Sequence, residues 1–108
     1  MRRGDIVTVA GGVYASKPRP ALIVQDDRFD ATDSLTICPF TNREVEAPLL
    51  RVPVTADEEN GLGHDSFLMV DRITTIGRSN VHVVVGRLQA TTLVEFERRL
   101  LVFLGFGA

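Results

Sequence analysis

The sequence predicts a mainly β (β+α) fold: a small, strongly bent antiparallel sheet or barrel with one amphipathic helix at the C-terminus. Three observations predict it. Short β-branched and apolar runs, five to seven of them, alternate with turn clusters as far as Val85. Apolar residues at spacings of three and four occur only after Thr92. The chain has 108 residues, 44% hydrophobic and 24% charged, a composition that suits a single hydrophobic core, so one domain over 1–108 is expected.

The elements follow in order. Gly4-Asp5 leads into Ile6-Val7-Thr8-Val9-Ala10, a β-branched first strand. Gly11-Gly12 opens a loop that carries Tyr14, Ser16 and Lys17 towards Arg19. Lys17-Pro18-Arg19-Pro20 then sets an arginine between two prolines. Proline fixes its own φ and drives the residue before it into the extended region, so Arg19 has few backbone states available. Residues 20–25 form the second strand, apolar on both faces over Ala21-Leu22-Ile23-Val24. A guanidinium held at the rim of this strand either snorkels to solvent or takes an anionic partner, for which a phosphate is well suited.

Residues 26–33 are polar and acidic, a connection rather than an element. Leu35 to Thr41 is the third strand, and Pro39 within it suggests an edge position or a bulge. Ala47 to Val54 gives a fourth strand, and Asp57-Glu58-Glu59-Asn60-Gly61 a turn cluster, solvated over Asp57 to Glu59, whose Asn-Gly pair favours positive φ. Ser66 to Val70 is a fifth strand, with shorter extended pieces at Ile73 to Ile76 and Val81 to Val85. Leu93, Phe96, Leu100, Phe103 and Leu104 mark one face of the closing helix, for which Thr92 and Glu95 offer a capping box.

Bulk properties exclude several functions. A formal net charge of −2 argues against a broad basic field for coating nucleic acid, though not against a groove gripping a few phosphates. No apolar run is long enough to cross a bilayer and Met1 to Asp5 leads into no signal-peptide core, so a cytoplasmic protein is expected. Cys38 is the one cysteine and reads as an inert core thiol. His64 and His82 lack metal-ligand spacing, and no metal site is expected.

A site emerges if the second and third strands pair antiparallel with Gln25 opposite Leu35. Ile23 then faces Ile37, Ala21 faces Pro39, and Arg19 faces Thr41, because opposed residues share a face of the ladder. A guanidinium and a hydroxyl converge at the end of an apolar face. Arginine can hold two non-bridging phosphate oxygens and stabilise charge on phosphorus; a threonine hydroxyl can donate to the same centre. RNA carries its own nucleophile in the 2′-hydroxyl, so such chemistry needs no cofactor. It would leave a cyclic phosphate and a 5′-hydroxyl. A general base is not evident, since arginine stays protonated.

Arg3-Gly4-Asp5-Ile6-Val7, the stretch from Lys17 to Asp26, and Ile37-Cys38-Pro39-Phe40-Thr41 together resemble the MazF/PemK toxins of bacterial type II toxin-antitoxin pairs. The likeness continues through Gly61-Leu62, Asp65-Ser66, Asp71 to Ile76, Gly86-Arg87-Leu88 and the terminal helix, and so spans nearly the whole chain. The resemblance implies a CcdB/PemK-like sheet-barrel of SH3-like character, a homodimer, and sequence-specific, metal-independent cleavage of single-stranded RNA (an mRNA interferase). It implies a cognate antitoxin whose flexible tail crosses the RNA groove, with operator DNA met only through that antitoxin. By motif match, Arg19 and Thr41 take the catalytic arginine and threonine positions. Asp71 stands where some branches use a catalytic acid; relatives often carry an arginine near Met69 or at Thr74, for which Arg72 is a shifted substitute.

Other residues keep two readings. Ser66 either contacts substrate or serves as a turn residue, and Tyr14 either stacks on a base or covers apolar surface. Lys17 and Ser16 are further candidates for RNA contact, and Arg2 and Arg3 either steer RNA or serve solubility. The tail from Leu101 to Ala108 fits helix and dimer packing, or the apolar C-terminus of CcdB-type gyrase poisons, with Phe106 as the working residue. CcdB-type sequences lack the Pro-Arg-Pro segment. A catalytically inactive module that only binds an antitoxin is the third reading.

Overall fold

A computed structural model describes residues 1–10 and 17–107. Seven strands are followed by one helix: β1 (Asp5–Val9), β2 (Arg19–Ile23), β3 (Ser34–Thr41), β4 (Arg51–Val54), β5 (Ser66–Met69), β6 (Thr74–Gly77), β7 (Val81–Arg87) and α1 (Ala90–Leu104). The strands are hydrogen-bonded in the order β4-β5-β3-β2-β1-β7, with β6 also on β3, and every pairing is antiparallel. The mainly β fold with a C-terminal helix is thus as the sequence predicts. None of the described helices is long and apolar enough to cross a membrane.

The bend is built into β3. Its first half pairs with β6 from Ser34↔Gly77 to Ile37↔Thr74, and its end pairs with β5 at Phe40↔Leu68 and Thr41↔Phe67. Pro39 falls in the gap between the two partners. Its missing N–H therefore breaks neither ladder; of the edge and the bulge that the sequence suggests, the edge does not hold, since the proline sits in a central strand at a change of partners. On the other side of β3, Ala21↔Pro39, Leu22↔Cys38 and Ile23↔Ile37 give the register expected from the sequence.

Alternation along these strands loads both faces. Ile6, Leu22, Cys38, Phe40, Val52, Leu68 and Phe96 belong to one buried cluster, under α1; Val7, Val9, Ala21, Ile23, Leu35 and Ile37 belong to a second. Strands buried on both sides read as continuous apolar runs, as residues 21–24 do.

Several boundaries differ from the sequence reading, among them β2, which ends at Ile23, and β7, which runs on to Arg87. The fourth strand begins at Arg51, because the amide of Leu50 donates to the carbonyl of Ala47 in a turn that uses up the residues around Pro48. The helix begins at Ala90 with Gln89 as N-cap and no side-chain cap, so the Thr92–Glu95 capping box does not form. Glu95 instead accepts from Arg99 Nε at 2.9 Å, one turn on. Phe96 is fully buried and Leu93 and Leu100 pack beside it, whereas Phe103 and Leu104 are each 44% exposed. The last helical turn, ended by Gly105 at φ 80°, thus leaves its apolar side uncovered by the chain itself.

The turn before β5 is exposed over Asp57 to Glu59, as expected, and is anchored by the buried Asn60 that follows. Asn60 is 3% exposed; its amide oxygen accepts from the amides of Asp57 and Leu62, and its Nδ2 donates to the Thr55 carbonyl at 2.8 Å. Gly61 has φ +68°, as the Asn-Gly pair predicts, and a Cβ there would meet the Val85 carbonyl oxygen at 2.1 Å.

Candidate active site

Where β2 begins and β3 ends, an open cavity of about 630 Å³ forms. Arg19 and Pro20 line it from β2, and Phe40, Thr41 and the following Asn42 from β3. His64, Ser66 and Met69 contribute from β5 and the turn before it; Arg72 and Thr74 close the remaining wall. The convergence of Arg19 and Thr41 on one space follows from the register. Two residues before Ala21 and two beyond Pro39, they continue the same paired face to the end of both strands.

The electrostatics are one-sided. Among the described residues two guanidiniums, Arg19 and Arg72, line the cavity and no carboxylate does. Among the described residues neither makes a side-chain hydrogen bond or ion pair, whereas Arg2, Arg3, Arg28, Arg51, Arg87, Arg98 and Arg99 are each paired with an acid. Two unneutralised forks beside hydroxyl and amide donors make a site for an anion, on a chain whose net charge is −2. Thr41 Oγ1 accepts from the amide of Arg43 at 3.1 Å, which orients the hydroxyl and leaves its own proton for a ligand.

The other candidate residues separate. Ser66 lines the cavity but is 8% exposed, and its Oγ donates to the carbonyl of His64 at 2.8 Å, fixing the turn. Asp71 does not line the cavity; Arg51 Nη1 from β4 donates to its Oδ1. Lys17 is exposed and outside the lining, and Tyr14 and Ser16 lie outside the described residues. Arg3 is tied to the body, with Nε donating to the Val24 carbonyl at 3.0 Å and Nη2 3.2 Å from Glu97 on α1. Cys38 is buried in the core and outside the cavity lining, and burial pushes its thiol up to about 12.

Sequence reasoning passed over two lining residues, Asn42 and His64. The available signal for Asn42 was its place one residue beyond Thr41. For His64 it was proximity to Asp65-Ser66, which opens the strand laid against the end of β3.

Comparison with known proteins agrees with this architecture. Residues 2–104 match the family described as PemK-like, MazF-like toxin of type II toxin-antitoxin system. The chain is 54% identical over 108 residues to the probable endoribonuclease MazF of Mycolicibacterium smegmatis, covering 99% of each sequence. Among solved structures it is similar to the Mycobacterium tuberculosis toxin MazF-mt6, with a TM-score of 0.82 at 21% identity over 96% of this chain and 99% of that one. It is also similar to a mycobacterial endoribonuclease solved in complex with its cognate antitoxin, with a TM-score of 0.80 at 20% identity, covering 100% of this chain and 98% of that one. By the family match and the close relative, the chain belongs to the PemK-like, MazF-like toxins of type II toxin-antitoxin systems.

Proposed function

We propose that this protein is an endoribonuclease toxin that cleaves single-stranded RNA at short preferred sequences by attack of the 2′-hydroxyl on the adjacent phosphate. The observation that carries the reading is the convergence of Arg19 and Thr41 on one cavity whose described lining holds two cations and no acid. Arg19 holds the non-bridging oxygens and stabilises the charge that grows on them, and the Thr41 hydroxyl donates to the same phosphate. Because the nucleophile belongs to the substrate, the reaction runs without a metal. The products are a 2′,3′-cyclic phosphate and a 5′-hydroxyl. The cytoplasm, where such a substrate is met, is the compartment this reading expects.

The partners follow. A homodimer would cover Val83 and Val84 on β7 and Leu101 to Leu104 on α1, apolar residues exposed by 44 to 67%. A cognate antitoxin would inhibit the toxin, as the antitoxin complex of a structural neighbour suggests, and would link it to operator DNA. The gyrase-poison and inactive-module readings are not favoured: the family match is to MazF-like toxins and ends at residue 104, short of Phe106.

The test is incubation of purified protein with a long unstructured RNA in excess EDTA, beside Arg19→Ala. Discrete fragments with 5′-hydroxyl ends are expected, with the variant slower by about 10²–10³-fold. Intact RNA with folded wild-type protein, or equal cleavage by the variant, overturns the reading.

A further inference from the structure

In-line displacement at phosphorus places the attacking and departing oxygens on opposite sides, so groups that serve them must approach from opposite sides. The sheet provides two such flanks. β3 lies between β2 and β5, and its Thr41 end has Arg19 on one side and the turn leading into β5 on the other. Neighbouring strands lie about 4.8 Å apart, so the two flanks are separated by roughly 10 Å, a span that side chains can close onto a phosphate held over Thr41. On the β5 flank the lining residues that carry a titratable or hydroxyl group are His64 and Ser66. The Ser66 hydroxyl is committed to the His64 carbonyl at 2.8 Å. The imidazole makes no hydrogen bond among the described residues, and its backbone is fixed by that serine and by the neighbouring Asp65, which accepts from the Ala56 amide at 2.8 Å.

Among the described lining residues, no other side chain is suited to exchange a proton. A guanidinium is a poor proton donor, threonine and asparagine side chains carry no acid proton, and Asp71 is paired with Arg51. Imidazole is the side chain suited to proton exchange near neutral pH.

We propose that His64 is a catalytic general acid that protonates the departing 5′-oxygen, a reading that rests on the proposed RNA cleavage. The 2′-oxygen forms its bond to phosphorus as the bond to the 5′-oxygen breaks. The 2′-hydroxyl proton passes to water beside the Arg19 charge, and the His64 ring proton passes to the 5′-oxygen. The ring regains a proton from solvent after the 5′-hydroxyl product leaves. An alkoxide is a poor leaving group, which is why the proton is needed on this flank.

The test uses a short synthetic RNA spanning a cut site mapped with wild-type protein, made with either the normal 5′-oxygen or a bridging sulfur at the scissile phosphate. A thiolate leaves without protonation. His64→Gln is expected to cleave the oxygen substrate about 10²–10⁴-fold more slowly and the sulfur substrate at the wild-type rate. Equal slowing on both substrates, or no slowing on either, overturns the acid role. Failure of wild-type protein to cut any RNA would instead remove the endoribonuclease reading beneath it. His64→Asn, of different reach and equally unable to donate a proton, should give the same substrate-dependent split; a split seen with only one variant overturns the proposal.

Discussion

Arg51 Nη1 on β4 donates to Asp71 Oδ1 across 2.5 Å, and the two side chains are only 11% and 27% exposed. Arg51 Nε is buried without a partner, so the guanidinium depends on Asp71 and on the Leu50 carbonyl for its compensation. A carboxylate held this way is a strut between β4 and the segment that carries Arg72. Asp71→Asn should therefore lower stability by about 1–3 kcal/mol, because it leaves a nearly buried cation underpaired. Cleavage by the folded protein should change no more than a few-fold. Denaturant melts and single-turnover cleavage on the same preparation check this. A hundred-fold loss of rate at unchanged stability would return Asp71 to the chemistry.

Asn60 makes the second such strut. Replacing it with alanine leaves the Thr55 carbonyl and the amides of Asp57 and Leu62 without their partner in a buried turn. The expected loss is about 2–4 kcal/mol, read as a shifted denaturation midpoint. Gly86→Ala should be at least as damaging, since its Cβ would lie 2.2 Å from the Asn60 backbone. A fully stable Gly86→Ala protein would mean that the turn does not pack on β7 as described.

What the sequence made legible and what it hid divide along physical lines. The register of β2 on β3 could be read because both strands are buried on both faces and a one-residue slip would move every side chain to the wrong one. Arg19 and Thr41 came with that register. The capping box could not be judged, because a Thr-x-x-Glu pattern is equally compatible with an interior helical turn, and Glu95 is used by Arg99. Pro39 read as an edge or a bulge because the sequence cannot show that one strand changes partners midway. His64 carried no periodicity or motif; only the fold, by laying the start of β5 beside the end of β3, puts it at the cavity.

Cys38 donates its thiol proton to the Met69 carbonyl across 3.2 Å, and burial raises its pKa from 9.0 to about 12. The thiol should resist alkylation at neutral pH in the folded protein and react only on unfolding, which mass spectrometry after iodoacetamide treatment detects. The linkage has a definite sign. The folded state holds the thiol proton more tightly than the unfolded state, so this contribution is complete below pH 9 and lost as pH rises from 9 towards 12. The stability gap between wild type and Cys38→Ala should therefore narrow across that window. A constant gap would mean that the thiol is not desolvated as its burial indicates.

Arg72 offers the clearest test of how RNA lies in the cavity. It lines the cavity beside Thr74, at the end of the 3-10 turn Val70–Arg72, and has no acidic partner among the described residues. A cation in that position neutralises a backbone phosphate without reading a base, and each such contact releases a counterion when RNA binds. Binding can be followed with an RNA whose 2′-hydroxyl at the mapped cut site is replaced by hydrogen, so that no cleavage intervenes. Arg72→Gln should flatten the slope of log affinity against log salt by about 0.7, the value expected for one phosphate on a single strand. Affinity should fall by a similar factor for RNAs of different sequence, because the lost contact carries no sequence information. An unchanged slope would take the RNA backbone away from Arg72 and leave Arg19 as the one guanidinium in the cavity that meets it.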